Sequence, residues 1–240
     1  MKELRDVLLS ERTRDEFAEW AAKGTVVIVP ISSLEQHGEA LPVNTDSRTV
    51  VHVAREAARS LDDVPVLVTP LIPFGISPHH MQYSGTITIS VNTLVSFLSD
   101  VCGSLATHGF DRILILSGHG GNENTIAAAA LELTHKLGRR VDGFCWFSLC
   151  QPQIDAATEG PCHTIGHAGE AEGSCILALS PESFRKEKAR WVQGISDDPS
   201  TATAEKGRKI LAAGVETLAE YVRKMAAEPG RKPVGIRKAE

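Results

Sequence analysis

The sequence predicts an α/β fold in which a mostly parallel sheet is covered by helices on both faces. Short, almost uniformly apolar runs that suit buried parallel strands alternate with longer amphipathic stretches that suit helices. No Pro/Gly/Ser-rich linker interrupts this alternation, and a composition of 42% hydrophobic and 23% charged residues can form a substantial core. We therefore expect one domain over residues 1–240.

The predicted elements follow one another as strand, loop and helix along most of the chain. Residues 2–22 are predicted to form an amphipathic helix with a break near Ser10, ahead of a buried strand at 25–31. Further strands are predicted at 64–71, 112–117 and 141–149, and further helices at 47–61, 92–108, 123–137, from near Gly169, and at 201–225. Asp46 or Ser47 is expected to cap the helix at 47–61. The segment 151–166 is predicted to be a loop, and the tail after Ala227 a surface strand or a frayed end.

Charge and composition make a small molecule the expected partner. A net charge of -5 and a pI near 6.0 argue against nucleic-acid and membrane surfaces, because such partners reward clustered Lys and Arg. Five cysteines without CxxC spacing indicate reduced thiols and not a disulfide framework or a zinc ribbon. No signal peptide is visible, and no apolar run reaches the ~20 residues that span a bilayer. A cytoplasmic location is therefore expected.

The first group of candidate site residues follows the strand at 25–31. Glu35 and His37 are two residues apart, so their side chains share a face in an extended chain, and Asp46 can return to them at the start of the next helix. Two carboxylates and an imidazole form a site suited to Zn²⁺, Mn²⁺ or Fe²⁺. Polar loops after strands are common, so solvated carboxylates beside a hydrogen-bonded loop histidine are the alternative.

A glycine-rich loop follows the strand at 112–117 and is the second candidate. Its glycines let the backbone turn sharply and let a ligand approach closely, which would project His119 into a site. Glycine loops before helices also bind phosphate. Neither GxxxxGK[ST] nor GxGxxG fits these residues, so a nucleotide site is a poor match.

Two further loops contribute histidines and carboxylates. Glu170 and Glu172 cannot face the same direction on a helix, so we expect at most one to point into a given site while the other caps the helix or is solvated. In the loop at 75–86, the adjacent His79 and His80 should point in opposite directions if the chain is extended, so that only one lines a cavity. In parallel sheets, such loops meet outside the carboxyl ends of the strands, where ligands bind.

Four motifs together resemble the creatininase (creatinine amidohydrolase) family. They are LEQHGEALPVNTD (34–46), GISPHHMQYSGTITI (75–89), LSGHGGNEN (116–124) and HAGEAEGS (167–174), and they occur in family order. Each motif is weak alone, whereas all of them in order at suitable separations are specific. The resemblance implies a three-layer α/β/α sandwich, a metal centre at the edge of the sheet and often a homohexamer.

The resemblance also implies roles for individual residues. Glu35, His37, Asp46 and His119 match family metal ligands, with Asp46 similar to the carboxylate that bridges two ions. His167 matches the histidine thought to shuttle a proton during ring opening. The residues expected to bind substrate are His79, His80, Tyr83, Gly120, Trp146 and Glu170.

Two departures from creatininase proper change these expectations. Creatininase proper has a glutamate ligand two residues after the histidine that matches His119, where this chain has Gly121. We expect Glu172 to complete the ligands of the second ion and to count among the catalytic residues. Creatininase proper also surrounds its substrate with tryptophans, and here only Trp146 is near a suitable position, so creatinine is not the expected substrate.

The expected activity is hydrolysis of a cyclic amide or a related non-peptide C–N bond. Two ions per subunit, Zn²⁺ or Mn²⁺ with Fe²⁺ as a third option, would lower the pKa of a water towards ~7, and His167 would protonate the leaving nitrogen. The family also contains a deformylase of a pyrimidine nucleotide, an enzyme that trims a peptide-derived redox cofactor precursor, and a hydrolase of a cyclic sugar ketone. A phosphorylated substrate would need a cation, for which Arg48 is nearest in sequence. A non-catalytic metal-binding protein is the alternative of a different class.

Overall fold

A four-stranded parallel sheet of order β2-β1-β3-β4 forms the centre of the computed structural model, which describes residues 2–228. The strands are β1 (Val26–Ile31), β2 (Val66–Val68), β3 (Arg112–Ser117) and β4 (Arg140–Cys145). β1 pairs in parallel with both β2 and β3, and β3 pairs in parallel with β4. Every residue of β1 is buried, as its continuous apolar run predicts.

The helices alternate with these strands along the chain. They are α1 (Leu4–Val7), α2 (Arg14–Ala22), α3 (Thr45–Ser60), α4 (Val91–Thr107), α5 (Glu123–Leu137), α6 (Gln151–Ala157), α7 (Glu170–Leu179) and α8 (Ala204–Ala227). Short 3₁₀ turns lie between them, at Leu9–Glu11, Pro78–His80, Gly120–Asn122, Trp146–Leu149, Pro181–Ser183, Lys186–Lys188 and Pro199–Thr201. No helix within residues 2–228 is long and apolar enough to cross a lipid bilayer.

Side chains that alternate along the strands build one core on each face of the sheet. Ile28 packs in a cluster with residues of α3, α7 and α8, whereas its neighbour Val29 packs in a second cluster with residues of α4 and α5. The sheet is therefore covered on both faces, and the predicted three-layer α/β/α sandwich is confirmed.

Two predicted elements near the first motif have different boundaries. α3 begins at Thr45, and the N-cap residue is Asn44 without a side-chain capping bond, so the prediction that Asp46 or Ser47 caps this helix is wrong. Asp46 instead lies in the first turn, from which its carboxylate enters the site described below. β2 is shorter than the predicted 64–71, because Pro65 and Pro70 lie on either side of it and a proline cannot donate to the sheet ladder.

The region after β4 also differs from the prediction. β4 ends at Cys145 and a 3₁₀ turn follows, so the second half of the predicted strand at 141–149 is wrong. The predicted loop at 151–166 begins as α6, which has Pro152 in its first turn, where the missing N–H costs nothing. The predicted break near Ser10 is confirmed by the turn between α1 and α2. The tail prediction falls beyond Glu228, outside the described residues.

Candidate metal centre

Acidic and imidazole side chains from separate segments converge beyond the carboxyl ends of β1 and β3. Glu35 and His37 follow β1, Asp46 lies at the start of α3, His119 follows β3, and Glu172 lies in the first turn of α7. All of these residues are buried. The sequence-based expectation that they meet at this edge of the sheet is confirmed.

These side chains form two groups that share Asp46. In the first group, His119 Nδ1 lies 3.1 Å from Glu35 Oε1 and 3.4 Å from Asp46 Oδ2. In the second group, His37 Nε2 lies 3.1 Å from Asp46 Oδ1 and 3.4 Å from Glu172 Oε2. Within each group, one ligand atom from each residue lies within 4.8 Å of the others, which is close enough to hold one ion. Asp46 therefore turns one oxygen towards each group.

The second nitrogen of each of these histidines is bonded to a backbone carbonyl. His37 Nδ1 donates to the carbonyl of Glu35 at 3.0 Å, and His119 Nε2 donates to the carbonyl of Ile76 at 3.0 Å. Because the N–H of each neutral ring is used in this way, the nitrogen that faces the carboxylates carries a lone pair. Metal-binding histidines show this arrangement, since the outer bond fixes the ring and its tautomer.

Without an ion, protons would occupy the space between these nitrogens and the carboxylates. Burial opposes protonation of His119, but the Asp46 and Glu35 carboxylates that face its Nδ1 outweigh this effect and raise its pKa to about 10. Burial also opposes protonation of His37, but the charges of Glu172 and Asp46 raise its pKa well above the usual value. Burial raises the pKa of Glu172. The buried carboxylates thus favour positive charge between themselves and these rings.

Unpartnered carboxylate oxygens show that the residues fit a metal. Glu35 Oε1 and Asp46 Oδ2 are buried and have no hydrogen-bond partner, a costly situation unless a cation satisfies them. Carboxylate oxygens mixed with imidazole nitrogens suit Zn²⁺, Mn²⁺ or Fe²⁺.

Outer hydrogen bonds hold the carboxylates in place. The hydroxyl of Ser77 donates to Glu35 Oε2, and Ser77 in turn lies 2.6 Å from the hydroxyl of Ser33. The backbone N–H of Ala168 donates to Glu172 Oε2 at 2.6 Å. Sequence reasoning gave Ser77 no role, and its place directly before Pro78 and the two histidines was the available signal.

The packing around Gly121 bears on the missing glutamate ligand. A Cβ atom at Gly121 would collide with His119 Nε2 and would lie 2.6 Å from the carbonyl oxygen of Ile76. No side chain fits at this position without a shift of the loop, whereas Glu172 reaches His37 from α7. The expectation that Glu172 takes the place of the absent ligand stays a prediction.

A cavity of about 430 Å³ opens beside these groups. His167, His79, His80 and Gly120 line it, together with Glu35, Asp46, His119 and Glu172. Both adjacent histidines line the cavity because they lie in the 3₁₀ turn Pro78–His80, with ring centroids 4.3 Å apart. The expectation that they point in opposite directions is therefore wrong.

Three of the predicted substrate-binding residues lie outside this cavity. Trp146 begins the 3₁₀ turn after β4 and is 1% exposed in the core, packed on Gly214, while its neighbour Phe147 reaches the cavity wall. The ring of Tyr83 lies over Gly194. For these two residues, the predicted place in the cavity is wrong.

Glu170 also points away from the cavity. It is fully buried, and it accepts hydrogen bonds from Lys206 Nζ at 2.5 Å and from the backbone N–H groups of Glu159 and Gly160. The expectation that only one of Glu170 and Glu172 enters a site is confirmed, but Glu170 is neither solvated nor part of the cavity wall.

Polar side chains with no role in the sequence-based prediction complete the wall. They are Glu123, Ser148, Gln151, Thr164 and Ser196. Within residues 2–228, no lysine or arginine lines the cavity, and Arg48 Nε donates to Asn44 instead. Glu123 follows the glycine loop directly, and this position was the signal that could have identified it.

His167 reaches the same cavity through the loop before α7. Its Nδ1 lies 3.4 Å from Glu35 Oε1, and its Nε2 lies 2.9 Å from the amide nitrogen of Gln36. Burial, together with the nearby His37 and His80, lowers the pKa of His167 to about 3. The ring is therefore neutral at neutral pH.

A family model and several known proteins match this chain. Residues 10–222 match the family model described as Creatininase: Creatinine amidohydrolase. A mycofactocin precursor peptide peptidase of Mycobacterium tuberculosis is 31% identical, over 85% of this chain and 86% of that protein. A creatinine amidohydrolase of Pseudomonas putida is 26% identical, over 91% of this chain and 97% of that protein. A solved structure of a mutant creatininase of the Zn-Zn type has the same fold, with a TM-score of 0.80 at 23% identity over 95% of this chain and all of that one (100%). The chain therefore belongs to the creatininase family.

Proposed function

We propose that this member of a hydrolase family cleaves an amide C–N bond with the help of divalent metal ions. The observation that carries the proposal is the place of Asp46 between two groups of potential ligands. Each group aims an imidazole lone pair at buried carboxylate oxygens, and Glu35 Oε1 and Asp46 Oδ2 have no hydrogen-bond partner.

Two sets of residues would hold the ions. Glu35, Asp46 and His119 would hold one ion, and His37, Asp46 and Glu172 would hold the other. Zn²⁺ or Mn²⁺ suits this mixture of oxygen and nitrogen donors. When bound, such ions polarise a carbonyl and lower the pKa of a water to ~7, which supplies a nucleophile at neutral pH.

His167 is our candidate for moving the proton that hydrolysis requires. The attacking water must lose one proton, and the leaving nitrogen must gain one. His167 stands on the cavity wall, with Nδ1 3.4 Å from Glu35 Oε1 and 17% of its side chain exposed. Phe147 and Ile165 form apolar parts of the same wall. Proton transfer by a positioned side chain typically contributes ~10²–10⁴-fold in rate.

The bond could belong to a cyclic amide, as the sequence suggests, or to a peptide. The second candidate is favoured by the relative that is 31% identical over most of both chains, which is a peptidase. A pyrimidine nucleotide is disfavoured, because Glu123 lies on the cavity wall and no lysine or arginine within residues 2–228 does. No contact in the cavity favours the cyclic sugar ketone. A purely metal-binding role would not need the open cavity that lies beside the potential ligands, whereas a hydrolase needs such a space for its substrate.

Metal analysis combined with a substrate panel tests this proposal. The panel should contain cyclic amides, formamides, lactones and short peptides, each assayed on the isolated protein, after chelation and after return of Zn²⁺ or Mn²⁺. We expect up to two ions per chain and amide hydrolysis that disappears on chelation and returns with metal. Bound ions without any turnover would favour the metal-binding role, and turnover that survives complete metal removal would refute metal dependence.

A further inference from the structure

The side-chain amide of Gln36 contacts two of the cavity imidazoles. Gln36 is buried, and its Nε2 lies 2.9 Å from His167 Nε2 and 3.1 Å from His80 Nδ1. The two imidazole rings stack on each other, with centroids 4.1 Å apart and an angle of 20° between the planes. One amide thus faces a pair of rings that both line the cavity.

Two backbone groups fix which end of the amide faces the rings. The N–H of Gly38 donates to Gln36 Oε1 at 2.9 Å, and Gln36 Nε2 donates to the carbonyl of Gly194 at 2.6 Å. Rotating the amide by half a turn would place two oxygens against each other at Gly194 and two N–H groups against each other at Gly38. The nitrogen of Gln36 is therefore the atom that faces both imidazoles.

An amide nitrogen donates hydrogen bonds but has no lone pair with which to accept one. Neither imidazole can therefore point an N–H at Gln36, so His167 Nε2 and His80 Nδ1 must be the unprotonated nitrogens. One amide hydrogen remains after the bond to Gly194, and these two nitrogens compete for it. The ring protons then lie on His167 Nδ1 and His80 Nε2, which are 3.4 Å and 3.9 Å from Glu35 Oε1.

We propose that Gln36 is a positioning residue that sets the tautomers of His80 and His167, so that both rings present an N–H to the side of the cavity where Glu35 lies. His167 then meets the substrate with its proton on Nδ1, and the reaction balances if Nδ1 passes this proton to the leaving nitrogen and regains one from the attacking water. The opposite tautomer would present a lone pair at the same place and would lose that donor. The kinetic part of this inference rests on the proposed hydrolase function, whereas the tautomers themselves do not.

The tautomers can be measured directly in the unaltered protein. We suggest solid-state ¹⁵N NMR of the full chain loaded with Zn²⁺, which is diamagnetic, with labelled histidine and with His167→Gln and His80→Gln used only to assign signals. We expect Nδ1 of His167 and Nε2 of His80 to carry the proton. A proton on His167 Nε2 or on His80 Nδ1 overturns the inference.

A change of polarity at Gln36 tests the causal role. Gln36→Glu keeps the length of the side chain but replaces the donor by an oxygen that accepts N–H groups. We expect the proton of His167 to appear on Nε2, kcat to fall ~10²-fold and KM to change little, because the donor is lost where the bond breaks. Gln82→Glu makes the same substitution at an exposed position of the loop that carries His80, and it should leave both readouts unchanged.

The outcomes separate this inference from the proposed function. A His167 signal that stays unchanged in Gln36→Glu removes the role of Gln36, and a shifted signal with unchanged kcat removes its link to the reaction. If the wild-type tautomers are as expected but no amide in the panel is hydrolysed, the hydrolase proposal fails while the tautomer assignment stands.

Discussion

Two pairs of histidines lie around Glu35, and their pKa values are shifted in opposite directions. His37 and His119 bond backbone carbonyls with one nitrogen and face buried carboxylates with the other, and their pKa values are raised. For His80 and His167, burial is the largest influence, and both pKa values are lowered. Gln36 contacts one nitrogen of each ring in the second pair.

The two histidine pairs differ in the hydrogen-bond partner of the ring nitrogen that points away from the carboxylates. All four rings lie close to Glu35, since His119, His167 and His80 have nitrogens 3.1, 3.4 and 3.9 Å from its Oε1 and His37 bonds its backbone carbonyl. A carbonyl behind the ring turns a lone pair towards the carboxylates, which suits a ligand. An amide nitrogen behind the ring turns an N–H towards them, which suits a hydrogen-bond donor.

Removing the shared carboxylate should have the largest effect. Asp46→Asn keeps the shape of the side chain but loses the charge that faces both His37 and His119. We expect metal content to fall to one ion per chain or fewer and kcat/KM to fall ~10³-fold, because several kcal/mol of charge stabilisation are lost. Elemental analysis after dialysis, with kinetics, checks this. The control is Asp63→Asn, which alters an exposed ion pair with Arg223. Full metal content in Asp46→Asn would contradict the arrangement of two ligand groups that share Asp46.

Removing a ring of the second pair should separate activity from metal binding. We expect His167→Ala to retain its metal and to lose ~10²-fold or more in kcat, since the role we propose for the ring is to move a proton and not to bind an ion. Metal analysis and steady-state kinetics on the same preparation provide the measurement. Loss of metal would move His167 among the ligands, for which the grouping of Glu35, His37 and His167 offers a geometry.

Metal binding should depend on pH through His37 and His119 but not through His167. The pKa of His119 is raised to about 10 in the metal-free chain, so this ring is protonated at pH ~8, and the pKa of His37 is raised as well. Both rings must be neutral when they bind an ion. Affinity should therefore fall as pH falls. Titration calorimetry at pH ~8 in buffers of different ionisation enthalpy should report release of about one proton per chain from His119 and a further contribution from His37, where unperturbed imidazoles of pKa ~6.5 would release almost none.

The same titration on His167→Ala sharpens the contrast. His167 has a pKa of about 3 and carries no extra proton at pH ~8, so its removal should leave the number of released protons unchanged. A smaller number in this variant would show that the ring is protonated in the metal-free protein and would remove the distinction between the pairs.

A parallel contrast separates Glu170 from Glu172, and it should appear in stability. Lys206→Met leaves the buried Glu170 without its cation, which we expect to lower the free energy of unfolding by about 2 kcal/mol without changing metal content. Chemical denaturation of the metal-free protein provides the measurement. Lys209→Met breaks an exposed pair with Glu205 on the same helix and should cost less than about 1 kcal/mol. Equal effects would mean that Glu170 is not stabilised by its partner.

The sequence predicted the sheet and the convergence of Glu35, His37, Asp46 and His119 because both depend on local pattern. Apolar runs of strand length identify buried strands, and residues that follow parallel strands meet at one edge of the sheet. Failures occurred where the outcome depends on tertiary packing. Trp146 could not be placed because β4 ends at Cys145, the residue directly before it, and the indole of Trp146 then packs in the core.

The partners of the second nitrogens were also beyond sequence reasoning. Ile76 and Gly194 offer backbone carbonyls, which carry no sequence signal, and Gln36 meets His167 across 131 residues of chain. Only the helical period was informative, and it correctly indicated that Glu170 and Glu172 could not both enter the site.

The smallest expected effect concerns Glu123, the carboxylate on the cavity wall that belongs to neither potential ion site. Its Oε1 accepts a hydrogen bond from the hydroxyl of Ser148. The charge of Glu123 should repel an anionic substrate by about 1 kcal/mol at a distance of ~4 Å in water. We expect Glu123→Gln to raise kcat/KM for a carboxylate-bearing amide ~5-fold relative to a neutral analogue. Glu132→Gln, an exposed change on the same helix, should leave that ratio unchanged. An unchanged ratio in Glu123→Gln would mean that Glu123 does not discriminate between charged and neutral substrates. The selection by charge would then depend on the ion ligands and the two histidine pairs alone.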